Sequence, residues 1–292
     1  MIAIGIGEVV WDIFDTVRKQ GGAPTNFAMY MGQFGFESYG ITRVGDDELG
    51  REALLRMEQF GVRCIEPFVP YETSTVEITL HNGIPQYKVK ENVAWDHLVL
   101  TDKEFSLSQN AKCVCFGTIA QRSEETHQSI MKFLKAMPVD SLRVFDVNLR
   151  QKYYTAEIVK ESLSLSNVVK MSDEEVQIVG SLCAISGDDL QVMKQIHSLY
   201  NMKYSLLTLG DKGSYVLYND KCVYLEATPT QVVDTVGAGD SFTAVFVSCI
   251  LKNYTVEESQ RYASEVASYV CSQEGAMPML PECFKRVFNG TK

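Results

Sequence analysis

Short apolar runs alternate along this chain with longer segments whose apolar residues recur at helical spacing, and that pattern points to a parallel sheet covered by helices. The strand candidates are 2–6, 38–43, 113–117, 142–146, 168–171, 205–209 and 214–218. Helix candidates fall between them at 26–33, 49–59, 123–136, 156–164, 173–179, 188–200, 241–251 and 255–271. The expected architecture is α/β, a doubly wound, mainly parallel sheet in a single domain over 1–292. Two segments, 8–16 and 73–89, break the alternation. The second carries Asn82-Gly83 between extended runs, a hairpin signal. Paired, they would form a small antiparallel β-sheet lid over the C-terminal edge of the main sheet, where open α/β folds place ligands. Plain edge strands are the simpler alternative.

The richest local string is Asp234-Thr235-Val236-Gly237-Ala238-Gly239-Asp240-Ser241-Phe242. Val232 and Val233 read as the end of a strand, and Phe242, Ala244, Val245, Phe246, Val247, Ile250 and Leu251 as a buried helix starting near Asp240. Small residues at a helix N-terminus leave unpaired N–H groups and the helix dipole open to an anion. Gly237, Ala238 and Gly239 thus make an anion hole, and the Asp240 carboxylate beside it can take a proton from an attacking hydroxyl. The plain alternative is an N-cap and a tight turn.

Several function classes are excluded or disfavoured. No Gly-x-x-x-x-Gly-Lys-Ser/Thr, His-Arg-Asp or Asp-Phe-Gly occurs, so neither a P-loop nor a protein-kinase set is present. A formal charge of −10 argues against nucleic acid or an anionic membrane as partner. No apolar stretch approaches the ~20 residues of a membrane span, and Met1-Ile-Ala-Ile-Gly-Ile-Gly reads as a first buried strand rather than a signal peptide, which places the protein in the cytoplasm. The eight cysteines contain no Cys-x-x-Cys, and Cys113 and Cys115 alternate onto one face as core residues. His81, His97, His127 and His197 form no metal-ligand spacing.

Gly21-Gly22-Ala23-Pro24-Thr25-Asn26 is by itself a flexible turn ending in an Asn cap. Asp146-Val147-Asn148-Leu149-Arg150 puts three polar side chains at alternating positions, on one side if the strand continues. Lys170-Met171-Ser172-Asp173-Glu174-Glu175 contains a Ser-x-x-Glu capping box. Thr208-Leu209-Gly210-Asp211-Lys212-Gly213 is a weak hairpin signal.

Taken together, these strings resemble the ribokinase-like, phosphofructokinase B type carbohydrate kinases over essentially the whole chain. The fructokinase subgroup is matched further by Gly7-Glu8-Val9-Val10-Trp11-Asp12, Arg43-Val44-Gly45-Asp46-Asp47-Glu48-Leu49-Gly50, Ala94-Trp95-Asp96 and Phe116-Gly117-Thr118-Ile119-Ala120-Gln121-Arg122-Ser123. The resemblance implies ATP as co-substrate and Mg²⁺ on its phosphates, with transfer to the 6-hydroxyl of D-fructose and Asp240 as base. It implies a sugar site of Asp12, Gly21, Gly22, Asn26, Asn148 and Arg150, and a nucleotide site of Lys170, Thr208, Gly210, Gly213, Gly237 and Gly239. Glu175 would place Mg²⁺ through water, although Ser172 stands where the family has Asn. A monovalent cation, K⁺, is admitted at Asp234 without being required. A homodimer through the lid is the implied assembly, with Val9, Val10, Trp11, Ile13 and Phe14 offering an apolar face that can equally pack on its own chain. Another sugar, a sugar acid or a nucleoside is the alternative acceptor, and a sugar-binding regulator without catalysis the third reading.

Overall fold

The computed structural model describes residues 1–14, 17–81 and 84–289. Its strands are β1 (Ile2–Ile6), β2 (Val10–Phe14), β3 (Val17–Gly21), β4 (Glu37–Ile41), β5 (Val44–Gly45), β6 (Val62–Arg63), β7 (Phe68–Val69), β8 (Thr75–His81), β9 (Ile84–Val89), β10 (Ala111–Phe116), β11 (Leu142–Asp146), β12 (Val168–Ser172), β13 (Tyr204–Thr208), β14 (Ser214–Tyr218) and β15 (Lys221–Leu225). The helices are α1 (Ala23–Gln33), α2 (Glu48–Gln59), α3 (Asp102–Ser108), α4 (Glu124–Ala136), α5 (Ala156–Leu165), α6 (Asp173–Leu182), α7 (Asp189–Leu199), α8 (Ala238–Leu251), α9 (Val256–Cys271) and α10 (Glu282–Asn289).

Nine strands form the main sheet in the order β15-β14-β13-β12-β11-β10-β1-β4-β6. It is parallel from β6 to β13, and the β14–β15 hairpin extends one edge antiparallel. Chain order reverses at β1, which pairs with β4 on one side and β10 on the other. Such a switch opens a crevice at the carboxyl ends of the strands, where ligands of doubly wound sheets bind. One apolar layer packs α1, α8 and α9 on the sheet through residues such as Phe27, Tyr30 and Phe246. The other packs α4 to α7 through Ile130, Phe133, Val159, Val179 and Ile196. Both faces are therefore covered, which is why the central strands read as continuous apolar runs.

The small sheet has the order β3-β2-β8-β9. Its hairpins are antiparallel, but β2 and β8 run parallel, with Trp11 opposite Thr75. The wholly antiparallel expectation is corrected to that extent, and β3 joins as a strand the periodicity did not show. The Asn82-Gly83 turn lies outside the described residues. Val9 and Trp11 are fully buried against Val44 and Ala53, and Trp11 Nε1 donates to the Leu49 carbonyl at 3.1 Å. Those two side chains are used within the chain and leave little for an interface. All eight cysteines are free, with Cys113 and Cys115 both buried as expected.

Val232 and Val233 do not end a strand. Both are exposed, at 60% and 58%, on an irregular segment after Pro229 that ties to the end of α9 through Val233 N–H to Cys271 O. Their β-branched side chains favour extended backbone, but among the described residues no strand pairs with them.

Candidate active site

Helix α8 begins at Ala238, two residues before Asp240, because Gly237 takes the cap position at φ 79°. A side chain there would be strained, and its Cβ would lie 2.4 Å from the Ala276 carbonyl oxygen. Asp240 therefore stands in the first turn and is not the cap. Its Oδ2 accepts a 2.7 Å hydrogen bond from Asn26 Nδ2, a contact across 214 residues that joins the start of α1 to the start of α8. Asn26 is likewise no cap. Helix α1 already starts at Ala23 behind Gly22, and the buried Asn26 Oδ1 has no hydrogen-bond partner among the described residues.

Beneath this turn lies a charge cluster. Lys170, at the middle of β12, pairs with Asp146, the last residue of β11, at 3.2 Å. Adjacent register explains the meeting, since Asp146 is the cross-strand partner of Lys170. The ammonium also abuts α8, where a Cβ on Gly239 would sit 3.0 Å from Nζ. Glycine thus lets a cation approach the positive end of a helix. That placement is unfavourable by the dipole alone and becomes useful when an anion lies between the two. Burial works against the Lys170 charge, but Asp146, Glu175 and Asp240 outweigh it and hold the ammonium above its ordinary range. Burial raises Asp146, and Lys170 offsets only part of that rise.

Glu8 follows β1 at the switch point and is fully buried, with neither carboxyl oxygen in a hydrogen bond among the described residues. Burial, reinforced by Asp240 and Asp146, pushes its carboxyl to about 7. The Gly-Glu string points to this position, but no pattern in the sequence marks it as an unpaired acid. Asp146 was readable as the first member of Asp-x-Asn-x-Arg, and only its partner was hidden.

Asp12 on β2 lies half-buried with a raised pKa, chiefly from burial, countered by the charges of Lys19 and Arg150. Gly21 adjoins it, a Cβ there lying 3.8 Å from Asp12 Oδ2. The expected shared side of Asp146, Asn148 and Arg150 is corrected: β11 ends at Asp146, and Asn148 turns into the left-handed region at φ 41°. Asn tolerates that conformation. Asp146 consequently goes inward to Lys170, while Arg150 stays exposed toward Asp12 and donates to the Leu149 carbonyl at 2.9 Å.

Thr208, Gly210 and Gly213 form the β13–β14 turn, with both glycines at positive φ and Leu209 N–H bonded to Gly213 O at 2.8 Å. Thr208 is the cross-strand partner of Ser172, which puts this turn at the same sheet edge as Lys170. Glu175 accepts from Ser172 N–H at 2.8 Å and from Leu149 N–H at 3.0 Å. Each oxygen keeps one lone pair, so Glu175 would be able to hold a metal through water. Asp234, the expected monovalent-cation ligand, differs in that one of its donors carries a full positive charge. Its Oδ1 accepts from Val236 N–H, and its Oδ2 accepts from Gly275 N–H at 3.1 Å and from Lys19 Nζ at 2.9 Å.

This arrangement presents an anion-binding helix end, a buried lysine and a carboxylate held by an amide, which together suit transfer of a phosphoryl group to a hydroxyl. Comparison with known proteins supports that chemistry. An uncharacterized sugar kinase of Pyrococcus horikoshii is 29% identical over 269 residues, covering 89% of this chain and 83% of its own. Its structure in complex with ATP superposes with a TM-score of 0.79 at 26% identity, covering 94% of each chain. Fructokinase-2 of Solanum lycopersicum is 27% identical, covering 96% of this chain and 93% of its own. Fructokinase from Vibrio cholerae, solved with fructose, ADP and calcium, shares the fold with a TM-score of 0.82 at 23% identity over 98% of each chain. The model for the pfkB family of carbohydrate kinases matches residues 5–283, nearly the whole length over which the sheet, the lid and the charge cluster are built, and the chain belongs to that family.

Proposed function

We propose that this carbohydrate kinase is a fructokinase that transfers the γ-phosphate of ATP to the 6-hydroxyl of D-fructose. The Asn26–Asp240 hydrogen bond carries the reading. With Oδ2 engaged at 2.7 Å, the carboxylate is oriented and Oδ1 is left to accept the proton of the attacking hydroxyl. The orphan Asn26 Oδ1 is an acceptor that a sugar hydroxyl satisfies, and Asp12 and Arg150 add further polar contacts beside Gly21 and Gly22. As the proton leaves, charge builds on the transferred phosphoryl oxygens. The N–H groups of Gly237 and Gly239 and the Lys170 ammonium face that charge from two sides, whereas the Ala238 N–H already donates to the Thr235 carbonyl at 3.3 Å. Thr208, Gly210 and Gly213 lie where the nucleotide phosphates would run. Mg²⁺, entering with ATP and braced through water by Glu175, supplies charge neutralisation on those phosphates. Closure of the small sheet would exclude water and suppress ATP hydrolysis.

The proposal places the enzyme in the cytoplasm. Among the described residues no helix is long and apolar enough to cross a membrane. It also includes a homodimer through the lid, using the face on which Ile13 is 38% exposed. Only monomer in light scattering at working concentration removes that assembly.

The decisive test is ADP release from Mg·ATP with D-fructose, fructose 6-phosphate, ribose, adenosine and 2-keto-3-deoxygluconate compared side by side. The highest kcat/KM with fructose is expected. A higher value for another acceptor overturns the sugar assignment and keeps the kinase, whereas sugar binding without ADP release from any of them makes the protein a regulator.

A further inference from the structure

Lid strand β3 carries one side chain that the catalytic motifs do not call for. Lys19 faces Asp12 across the β2–β3 hairpin, and its Nζ crosses to Asp234 Oδ2 at 2.9 Å. Its stem runs beside Gly275, which sits at φ 77° and whose N–H donates to the same carboxylate oxygen. Asp234 thus receives donors on both oxygens, one of them a full positive charge. A cation at Oδ2 would have to displace the ammonium or sit against it, and like charges at such a distance repel. The loop that Asp234 anchors runs directly into Gly237, so whatever neutralises Asp234 also sets the approach to the anion hole. The sugar-side carboxylate Asp12 and the loop-side carboxylate Asp234 share this one lysine.

We propose that Lys19 is a positioning residue that supplies, from the lid, the positive charge a monovalent cation would bring to Asp234, and so holds the loop ahead of Gly237 in place without K⁺. Lys19 is about one-third exposed, at 35%, so the energy of the pair is modest and its value lies in geometry. A lid that is drawn toward the phosphate loop by its own side chain needs no ion to complete the contact.

The activity arm of the test rests on the kinase reading; the stability arm does not. Wild type, Lys19→Gln and Lys19→Arg are compared in KCl and in N-methyl-D-glucamine chloride at equal ionic strength. ADP release is read with the acceptor selected above, and the thermal midpoint is read without ligand. Wild type and Lys19→Arg are expected to agree between salts within about twofold in rate, with unchanged midpoints. Lys19→Gln should be slower by about tenfold in the organic salt, the scale of one charge-assisted hydrogen bond, and should recover rate and midpoint in KCl as the vacated carboxylate takes up K⁺. Dependence of wild type on KCl overturns the proposal, as does a Lys19→Gln protein that ignores KCl in both readouts. If no acceptor is phosphorylated, the fructokinase assignment has failed, and the midpoints alone decide the role of Lys19.

Discussion

Two kinds of buried charge coexist in this molecule. Just past the end of β4, Arg43 forks Glu104 with two bonds of 2.8 Å, and both side chains are almost wholly buried. Arg122 forks Asp96 in the same manner and lies between the rings of Trp95 and Tyr153. Each of these carboxylates has its own guanidinium. Around Lys170 the count is different: Asp146, Asp240 and Glu175 act on one ammonium, and Glu8, near Asp240 and Asp146, has both carboxyl oxygens unpaired among the described residues. A charge that serves packing is matched one to one, because an unmatched buried ion is destabilising. A cluster left under-compensated is open to completion by an incoming ligand, which is where perturbed charges that serve chemistry are found.

Four substitutions test the contrast, the first having the largest effect. Asp240→Asn should lower kcat by about 10²–10⁴-fold while sugar and ATP affinities change little. A loss below about tenfold in steady-state assays removes Asp240 as base. Glu104→Ala strands the Arg43 guanidinium and should cost about 3–5 kcal/mol in urea unfolding, with kcat of the folded enzyme within about twofold of wild type. A large kcat effect would erase the distinction between the two kinds of pair.

Glu8→Gln should act with the opposite sign. Below pH 4.5 the folded and unfolded chains both hold the Glu8 proton. Between there and pH 7 only the folded chain keeps it, so stability falls as pH rises through that window and the deficit is complete above it. The glutamine removes this contribution, and unfolding midpoints should show a gain of about 3 kcal/mol at pH 8 and almost none at pH 4.5. An equal difference at both values would mean that Glu8 finds a partner in solution. Gly239→Ala should have the smallest effect. Alanine favours the helix by up to about 1 kcal/mol, yet its methyl must push Lys170 aside, so the variant should melt slightly higher and show a raised KM for ATP. An unchanged KM would separate Lys170 from the nucleotide.

The sheet was legible because β1, β11 and β14 are bounded by their own apolar runs, and their predicted ends agree with the fold. The missed strands β5, β6 and β7 are two residues each, too short for any periodicity to register. At the site, the glycines of the α8 turn announce themselves because backbone conformation selects them. The partners do not. Asn26 meets Asp240 and Lys19 meets Asp234 across more than 200 residues, and single-chain patterns carry no record of such distance. The subgroup strings around Arg43 and Asp96 invited a functional reading, yet the structure spends both on the paired charges of the frame.

The Asn26–Asp240 bond also has a consequence for biosynthesis. The last strand of the main sheet ends at Leu225, whereas Asp240, the proposed base, follows only in α8. Because a chain emerges from its N-terminus, the strands can pair while the ribosome still holds that helix. Until α8 and α9 emerge, that sheet lacks most of the apolar cover on one face, and the Asn26–Asp240 contact cannot form. On the proposed mechanism a nascent product therefore has no turnover, which makes catalytic competence a late checkpoint of synthesis.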